Sequence, residues 1–208
     1  MPEPPLMVIT DAAQASPRSL VDTIARAILG GARWVSLREK ALPPDDRLGL
    51  LAGLVELARP TSTAVFVHGD VEAAAALGLA GVHLPQGGDI ALCRHRLGRR
   101  AVIGISTHTP AEAVRAAAEG ADYVSLSPIF ASDSKPGYGP ALGLDGLRDA
   151  CRRASCPVIA LGGIMPGSAA SCVSAGAAGL AVMGPIMRAR DPAATVRSYL
   201  ARIPGACR

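Results

Sequence analysis

The sequence predicts an α/β protein, a single (β/α)8 TIM barrel that spans residues 1–208. Three observations predict this fold. Short apolar runs alternate with helical patterns along the whole chain. The runs are apolar almost without interruption, which is typical of parallel strands buried on both faces. A glycine-rich step from helix to strand recurs in alternate units, which amounts to an internal repeat. Eight units in about 200 residues make a minimal barrel.

Eight strands are predicted from the apolar runs. The run Val158–Leu161 shows the continuous apolar character most clearly, because it reads Val-Ile-Ala-Leu. Aromatic residues form only 3% of the chain, so we expect Ala, Val, Leu and Ile to fill the barrel interior. The predicted strands are Leu6–Thr10, Trp34–Arg38, Ala64–His68, Gly81–Leu84, Val102–Ser106, Tyr123–Ser127, Val158–Leu161 and Gly179–Met183.

Helices are predicted between the strands, and cap residues mark several of their starts. Asp45, Thr109 and Asp191 are the predicted N-caps, the last two because each precedes a proline. The glycine-rich steps supply the left-handed residue that ends a helix. These steps lie at 30–32, 78–81, 120–121 and 176–177. The predicted helices include Ser19–Leu29, Asp45–Ala58, Pro110–Glu119 and Pro192–Arg202.

A doubly wound open sheet is the alternative fold. Such a sheet would usually carry a G-x-G-x-x-G turn after its first strand. This chain has Thr10-Asp11-Ala12-Ala13 at that place. The barrel is therefore favoured, and no second domain is found.

Composition and charge exclude several classes of function. The net charge of +4 suits small anionic substrates, and no Lys/Arg run is interleaved with aromatic residues as on a nucleic-acid surface. No apolar stretch approaches the roughly 18 residues of a spanning helix, and no secretory signal is visible. The five cysteines lack C-x-x-C spacing, so we expect reduced thiols and a cytoplasmic protein. The sequence predicts neither a nucleic-acid nor a membrane partner, and a homodimer stays open.

Active sites of such barrels lie at the carboxyl ends of the strands, where this chain places many polar residues. His108 follows the fifth strand and is the candidate acid or base, since imidazole moves protons at neutral pH. A histidine beside a helix start with no chemical role fits this position equally well. His83 alternates within a strand and is predicted to be structural. The other candidate contacts at this end are Arg38, Lys40, His68 and Ser106.

Glycines after the last two strands predict a phosphate site. Gly162 and Gly163 follow the seventh strand, and Met183 and Gly184 follow the eighth. Backbone N–H groups beside a helix start bind anions without a charged side chain. Simple turn glycines are the alternative, but loops seven and eight frequently hold phosphate in this fold.

The longest predicted loop is residues 127–140, and its length and Pro/Gly content suggest a lid over the strand ends. Ser132, Ser134 and Lys135 lie within it, and Lys135 can bring a positive charge to an anionic substrate. A solvated loop without this role is the alternative. Whether 132–140 closes over a substrate stays open.

Motifs in a fixed order then indicate a family. They are LREK at 37–40, GVHLPQ at 81–86, GISTHT at 104–109, GADYVSLSPIF at 120–130, SK at 134–135, LGGI at 161–164 and AVM at 181–183. Over nearly the whole chain, the sequence resembles the thiamine phosphate synthase/TenI family of small TIM barrels. The resemblance implies a phosphorylated thiazole as ligand.

The synthase branch of that family joins hydroxymethylpyrimidine diphosphate to a thiazole phosphate, with Mg²⁺ held between carboxylates. The resemblance implies Asn-Asp after the third strand and an acidic residue after Gln-Glu at the fourth, whereas this chain has His68-Gly69 and Gln86-Gly87-Gly88. Ser36 stands where synthases have a diphosphate-contacting Gln. Asp70 and Asp89, one residue further on, are weak metal candidates.

The TenI-like branch is more similar at these positions, with a glycine after the third strand and Leu-Pro-x-Gly after the fourth. Its implied activity is the aromatising tautomerisation of a thiazole phosphate carboxylate, with a histidine after the fifth strand as acid/base. His108 matches that histidine. Because a proton shift needs no metal, the expected cofactor set is empty.

Three hypotheses follow. The first is a metal-independent, TenI-like thiazole tautomerase that uses His108. The second is a thiamine phosphate synthase, which would require Mg²⁺. The third is a regulator that binds thiazole phosphate without turning it over. The fold alone cannot decide among them, because the barrel hosts many chemistries.

Overall fold

The structure is a computed structural model that describes residues 1–131 and 140–203. Eight parallel strands close into a barrel in which each strand pairs with the next and β8 pairs with β1. This confirms the predicted (β/α)8 fold, whereas the assignment of all 208 residues to one domain stays a prediction. The strands are β1 (Leu6–Ile9), β2 (Trp34–Leu37), β3 (Ala64–His68), β4 (Gly81–Leu84), β5 (Val102–Thr107), β6 (Tyr123–Leu126), β7 (Val158–Leu161) and β8 (Gly179–Val182).

The helices surround this barrel. Two short ones in the loops after β1 and β8, α1 and α9, were not predicted. Within the described residues, no helix has the length and the apolar character needed to cross a membrane. The helices are α1 (Ala12–Ala15), α2 (Leu20–Leu29), α3 (Pro44–Ala58), α4 (Val71–Ala76), α5 (Ile90–Leu97), α6 (Pro110–Ala118), α7 (Gly143–Arg153), α8 (Pro166–Ser174), α9 (Gly184–Met187) and α10 (Pro192–Leu200), with a 3-10 turn at Arg59–Thr61.

The helix ends follow the sequence signals with one exception. Thr109 and Asp191 cap α6 and α10 as predicted, since their side chains accept hydrogen bonds from backbone N–H groups of the first turn. The prediction for Asp45 is wrong, because α3 begins one residue earlier and Pro43 occupies the cap position. Asp45 lies instead in the first turn, where a carboxylate complements the helix dipole. The glycines at 31, 78, 120 and 176 have positive φ as predicted.

The barrel interior differs from the prediction. Aliphatic side chains do fill the layer between strands and helices, but the interior cluster is built around Trp34, Phe66 and Tyr123. Two glycines on the neighbouring strands make this possible. A Cβ on Gly104 would lie 1.9 Å from Cζ of Tyr123, and a Cβ on Gly81 would lie 2.4 Å from Cε1 of Phe66. A small number of aromatic residues is therefore enough to fill the barrel interior, because glycines on the adjacent strands leave space for their rings.

Candidate active site

A cleft of about 560 Å³ opens beyond the carboxyl ends of β2, β3 and β4. It brings together four of the predicted site residues: Arg38, Lys40, His68 and the weak metal candidate Asp70. Arg38 and Lys40 follow β2, and the Arg38 backbone N–H donates to Thr10 Oγ1 at 2.8 Å. The other residues that line the cleft are Glu39, Arg47, Gly69, Val71, Glu72 and Pro85.

A buried histidine lies beneath this end of the barrel. His83 is 2% exposed, its Nδ1 lies 2.9 Å from Tyr123 Oη, and its Nε2 lies 3.0 Å from Ser106 Oγ and 3.2 Å from Ser125 Oγ. Burial, with a smaller contribution from the charge of His68, lowers the pKa of His83 from 6.5 to about 3. His83 is therefore neutral at physiological pH and fixes the hydroxyl of Ser106, the predicted substrate contact on β5.

His108 is held at two points directly after β5. Its Nδ1 lies 2.8 Å from the carbonyl oxygen of Ser127, which follows β6, and its backbone N–H donates to Glu112 Oε2 at 2.8 Å. Glu112 in turn donates its backbone N–H to Thr109 Oγ1. Because a carbonyl only accepts hydrogen bonds, Nδ1 carries a proton, and the neutral tautomer compatible with this contact has Nε2 as its acceptor nitrogen.

The predicted phosphate residues occupy the ends of β7 and β8. Gly162 and Gly163 have φ of +94° and +65°, which favours glycine. A Cβ on Gly163 would lie 2.4 Å from the carbonyl oxygen of Ala131, so the turn packs closely against the segment after β6. Met183 precedes α9, and the buried Gly184 is its first residue. Phosphate binding here stays a prediction.

The two weak metal candidates have separate structural roles. Asp70 Oδ1 accepts from Ala73 N at 3.0 Å and caps α4, while its Oδ2 accepts from Arg47 Nη2 at 2.8 Å and Nε at 3.2 Å. Asp89 caps α5 through Leu92 N at 2.8 Å and does not line the cleft. In residues 1–131 and 140–203, no three His, Cys, Asp or Glu side chains are grouped so that they could hold a metal ion. This donor set does not fit a Mg²⁺ ion shared between Asp70 and Asp89.

Three predicted site residues, Ser132, Ser134 and Lys135, lie outside the described residues, as does most of the predicted lid. Two others were missed. Arg47 enters the cleft from α3, and no motif singled it out, because its contact with Asp70 joins residues 23 positions apart. His83 was predicted to be structural, and its hydrogen bond to Ser106 connects it to a predicted substrate contact. The strand register, which pairs Ser106 with Ser125 across β5 and β6, brings both serines to His83.

Comparison with known proteins shows which family the chain belongs to. Residues 6–186 match the TMP-TENI family, which is described as thiamine monophosphate synthase. The chain belongs to this family. The resemblance predicted from the motifs is confirmed, and so is thiamine biosynthesis at the level of the TMP-TENI family. As in other TIM barrels, the cleft and His108 lie at the carboxyl ends of the strands.

Individual relatives of this chain have names that refer to thiamine phosphate. A thiamine-phosphate synthase of Roseiflexus sp. (strain RS-1) is 38% identical over 96% of this chain and 85% of its own length. A thiamine-phosphate synthase of Chloroflexus aurantiacus is 37% identical over 95% and 92%. The structure of a thiamine phosphate pyrophosphorylase from Pyrococcus furiosus superposes with a TM-score of 0.85 at 28% identity, covering 98% of this chain and 96% of that one. These names favour the synthase hypothesis over the tautomerase hypothesis.

Proposed function

We propose that this chain is an enzyme of thiamine biosynthesis that acts on a thiazole phosphate, and that its reaction is the metal-independent tautomerisation of a thiazole phosphate carboxylate. The glycines Gly69 and Gly88, which stand where the resemblance implies metal-binding carboxylates, carry the choice of reaction, and the contact between His108 Nδ1 and the Ser127 carbonyl at 2.8 Å orients the candidate base. This contact holds the imidazole in one orientation, in which the neutral tautomer would have Nε2 as its acceptor nitrogen. A proton shift needs a positioned base and no metal ion.

The substrate contacts in this proposal are spread around the barrel mouth. The phosphate binds at the turn of Gly162 and Gly163 and at the start of α9, the usual phosphate position of the fold. Ser106, fixed by His83 at 3.0 Å, contacts the ring. Arg38 balances the substrate carboxylate, a role for which the sequence also predicts Lys135.

Thiamine phosphate synthesis is the second candidate, and the names of the relatives favour it. It requires Mg²⁺, which would assist the departure of pyrophosphate. In this chain glycines, Gly69 and Gly88, stand at the two places where the family resemblance implies carboxylates, and Asp70 is engaged by Arg47. The shortage of carboxylates for Mg²⁺ thus favours the proton shift over the coupling reaction. The names of the relatives favour the coupling reaction.

One pair of assays separates the candidates. The purified protein is incubated with the non-aromatic tautomer of the thiazole phosphate carboxylate in D2O with EDTA, and the aromatic product is followed by NMR. A parallel sample receives hydroxymethylpyrimidine diphosphate, thiazole phosphate and Mg²⁺, and pyrophosphate release is measured. We expect turnover in the first assay only. Pyrophosphate release would establish the synthase, and ligand binding without either reaction would establish a binding protein.

His108 is tested in the same tautomerase assay. We expect His108→Gln to lower kcat by roughly a hundredfold or more, because a general base contributes about 10²–10⁴-fold. Substrate affinity should change little, since the phosphate contacts remain. His95→Gln is the matched control, because His95 is an exposed histidine on α5. Equal kcat values for the two variants would remove His108 from the mechanism.

A further inference from the structure

The cleft beyond β2, β3 and β4 contains equal numbers of basic and acidic side chains, but they are not engaged equally. Its three carboxylates all have partners. Glu39 accepts from the backbone N–H of Ala12 at 3.2 Å, and Asp70 pairs with Arg47. Glu72 pairs with Arg96 at 2.7 Å.

The basic side chains of the cleft are engaged differently. Within residues 1–131 and 140–203, neither Arg38 nor Lys40 has an acidic side chain within ion-pair distance. Arg47 is the third basic residue, and its only carboxylate partner among the same residues is Asp70. Arg38 and Lys40 therefore carry the positive charge of the cleft that no described carboxylate pairs with directly, whereas Arg47 and Asp70 offset each other.

The pair of Arg47 and Asp70 is built more firmly than the surface ion pairs of this protein. The two side chains are 22% and 24% exposed, whereas those of Arg96 and Glu72 are 51% and 73% exposed. Both Nε and Nη2 of Arg47 donate to one oxygen of Asp70, and Nη1 donates to the Leu42 carbonyl at 3.4 Å, which leaves one further N–H on each of Nη1 and Nη2. The other oxygen of Asp70 caps α4. The carboxylate thus joins α3 to the start of α4 and fixes the direction of the guanidinium.

We infer that Arg47, oriented by Asp70, completes with Arg38 and Lys40 a metal-independent subsite for the second oxyanion of the substrate, on the side of the mouth opposite the β7 and β8 glycines. Asp70 is a positioning residue in this subsite and not a metal ligand. The guanidinium of Arg47 occupies the space beside Asp70 and supplies positive charge there. A divalent ion could bind Asp70 only by displacing this guanidinium. This inference deepens the proposed function and rests on it for the location of the substrate.

The chemistry of the subsite suits a carboxylate, as in the tautomerase substrate, or a diphosphate, as in the synthase substrate. Both are oxyanions that planar guanidinium groups bind through paired hydrogen bonds. Thiazole-2-carboxylate and inorganic pyrophosphate are therefore used as separate probes. The probe whose affinity depends on Arg47 identifies the anion that the subsite accepts.

The test is calorimetric titration of each probe into the full-length protein, once with EDTA and once with Mg²⁺. We expect at least one probe to bind equally well under both conditions. Arg47→Gln should weaken that binding about tenfold, the effect of losing a charge-assisted contact. Arg47→Lys should restore part of it, because the charge is kept and the planar fork is lost. Asp70→Asn still caps α4 but removes both the acceptor that orients Arg47 and a negative charge beside the anion. We expect weaker binding in EDTA, because the loss of orientation outweighs the loss of repulsion, and tighter binding would overturn the positioning role of Asp70.

Arg59→Gln is the matched control, because Arg59 also pairs with a carboxylate, that of Glu56, but does not line the cleft. We expect it to leave the affinity for the probe unchanged. The inference is overturned if neither probe binds in EDTA, if Arg47→Gln binds as well as wild type, or if binding requires Mg²⁺ and is lost in Asp70→Asn. Thermal melting verifies that each variant is folded, and the two Arg47 variants decide the question if Asp70→Asn does not fold. Since binding is measured without turnover, this result is independent of the His108 assays.

Discussion

The buried neutral state of His83 makes the stability of the barrel depend on pH in a way that can be calculated. In the folded protein the pKa of His83 is lowered to about 3, and the unfolded value is 6.5. Below pH 6.5 the unfolded chain takes up a proton at this histidine that the folded chain does not. The contribution of His83 is therefore fully present above pH 6.5 and is lost as the pH falls toward 3.

The magnitude follows from the separation of the two pKa values. Each pH unit between them changes the free energy of unfolding by about 1.4 kcal/mol, so His83 contributes a loss of about 2 kcal/mol between pH 7 and pH 5. Urea unfolding of wild type and His83→Gln at both pH values measures it. We expect the variant to be less stable at pH 7, because the hydroxyls of Tyr123 and Ser106 lose their partner, but its stability should fall by about 2 kcal/mol less on acidification.

The difference between two proteins that share all other titrating groups isolates the histidine. His95→Gln is the control, because it removes an exposed imidazole from α5, and it should follow the wild-type pH dependence. If wild type and His83→Gln lose the same free energy between pH 7 and pH 5, then His83 is not held neutral by burial. The account of the polar network below the site would then be wrong.

Three further substitutions test the packing and the helix ends. Gly104→Ala should lower the free energy of unfolding by about 3 kcal/mol or prevent folding, because its Cβ would lie 1.9 Å from Tyr123 Cζ; soluble yield and urea unfolding measure this. Ser19→Ala should cost about 1 kcal/mol in a urea melt, since Ser19 Oγ caps α2 through Asp22 N at 3.1 Å, and an unchanged midpoint would contradict the cap. Tyr199→Phe should cost about 1–2 kcal/mol, because the buried hydroxyl donates to the Ile164 carbonyl at 2.8 Å; no change in thermal midpoint would argue against that bond.

The fold could be predicted from the sequence because its signals are local. Each buried strand is a short apolar run, and each observed strand begins and ends within one residue of its predicted bounds. Thr109 and Asp191 cap helices because a side-chain oxygen beside a proline-led helix satisfies a free N–H within the same turn. Asp45 failed because Pro43 and Pro44 already start the helix, and propensity alone does not decide between adjacent positions.

The site was less predictable because its decisive contacts are long-range. His108 could be singled out from its place after a strand, but its bond to the Ser127 carbonyl depends on how β5 and β6 are paired. The pairing of Arg47 with Asp70 depends on the distance of α3 from the end of β3, which no periodicity encodes. The aromatic interior escaped prediction for a similar reason, because the space for Tyr123 comes from a glycine on the adjacent strand.

The close approach between the turn after β7 and the segment after β6 limits how this barrel can change. The backbone N–H groups of Ile129 and Phe130 donate to the carbonyls of Leu161 and Gly162, and Gly163 leaves no space for a side chain against Ala131. The connection after β6 and the turn after β7 therefore form one closely packed unit. A chimaera that receives only one of them from a relative would lose their mutual fit, whereas exchanging both together would preserve it.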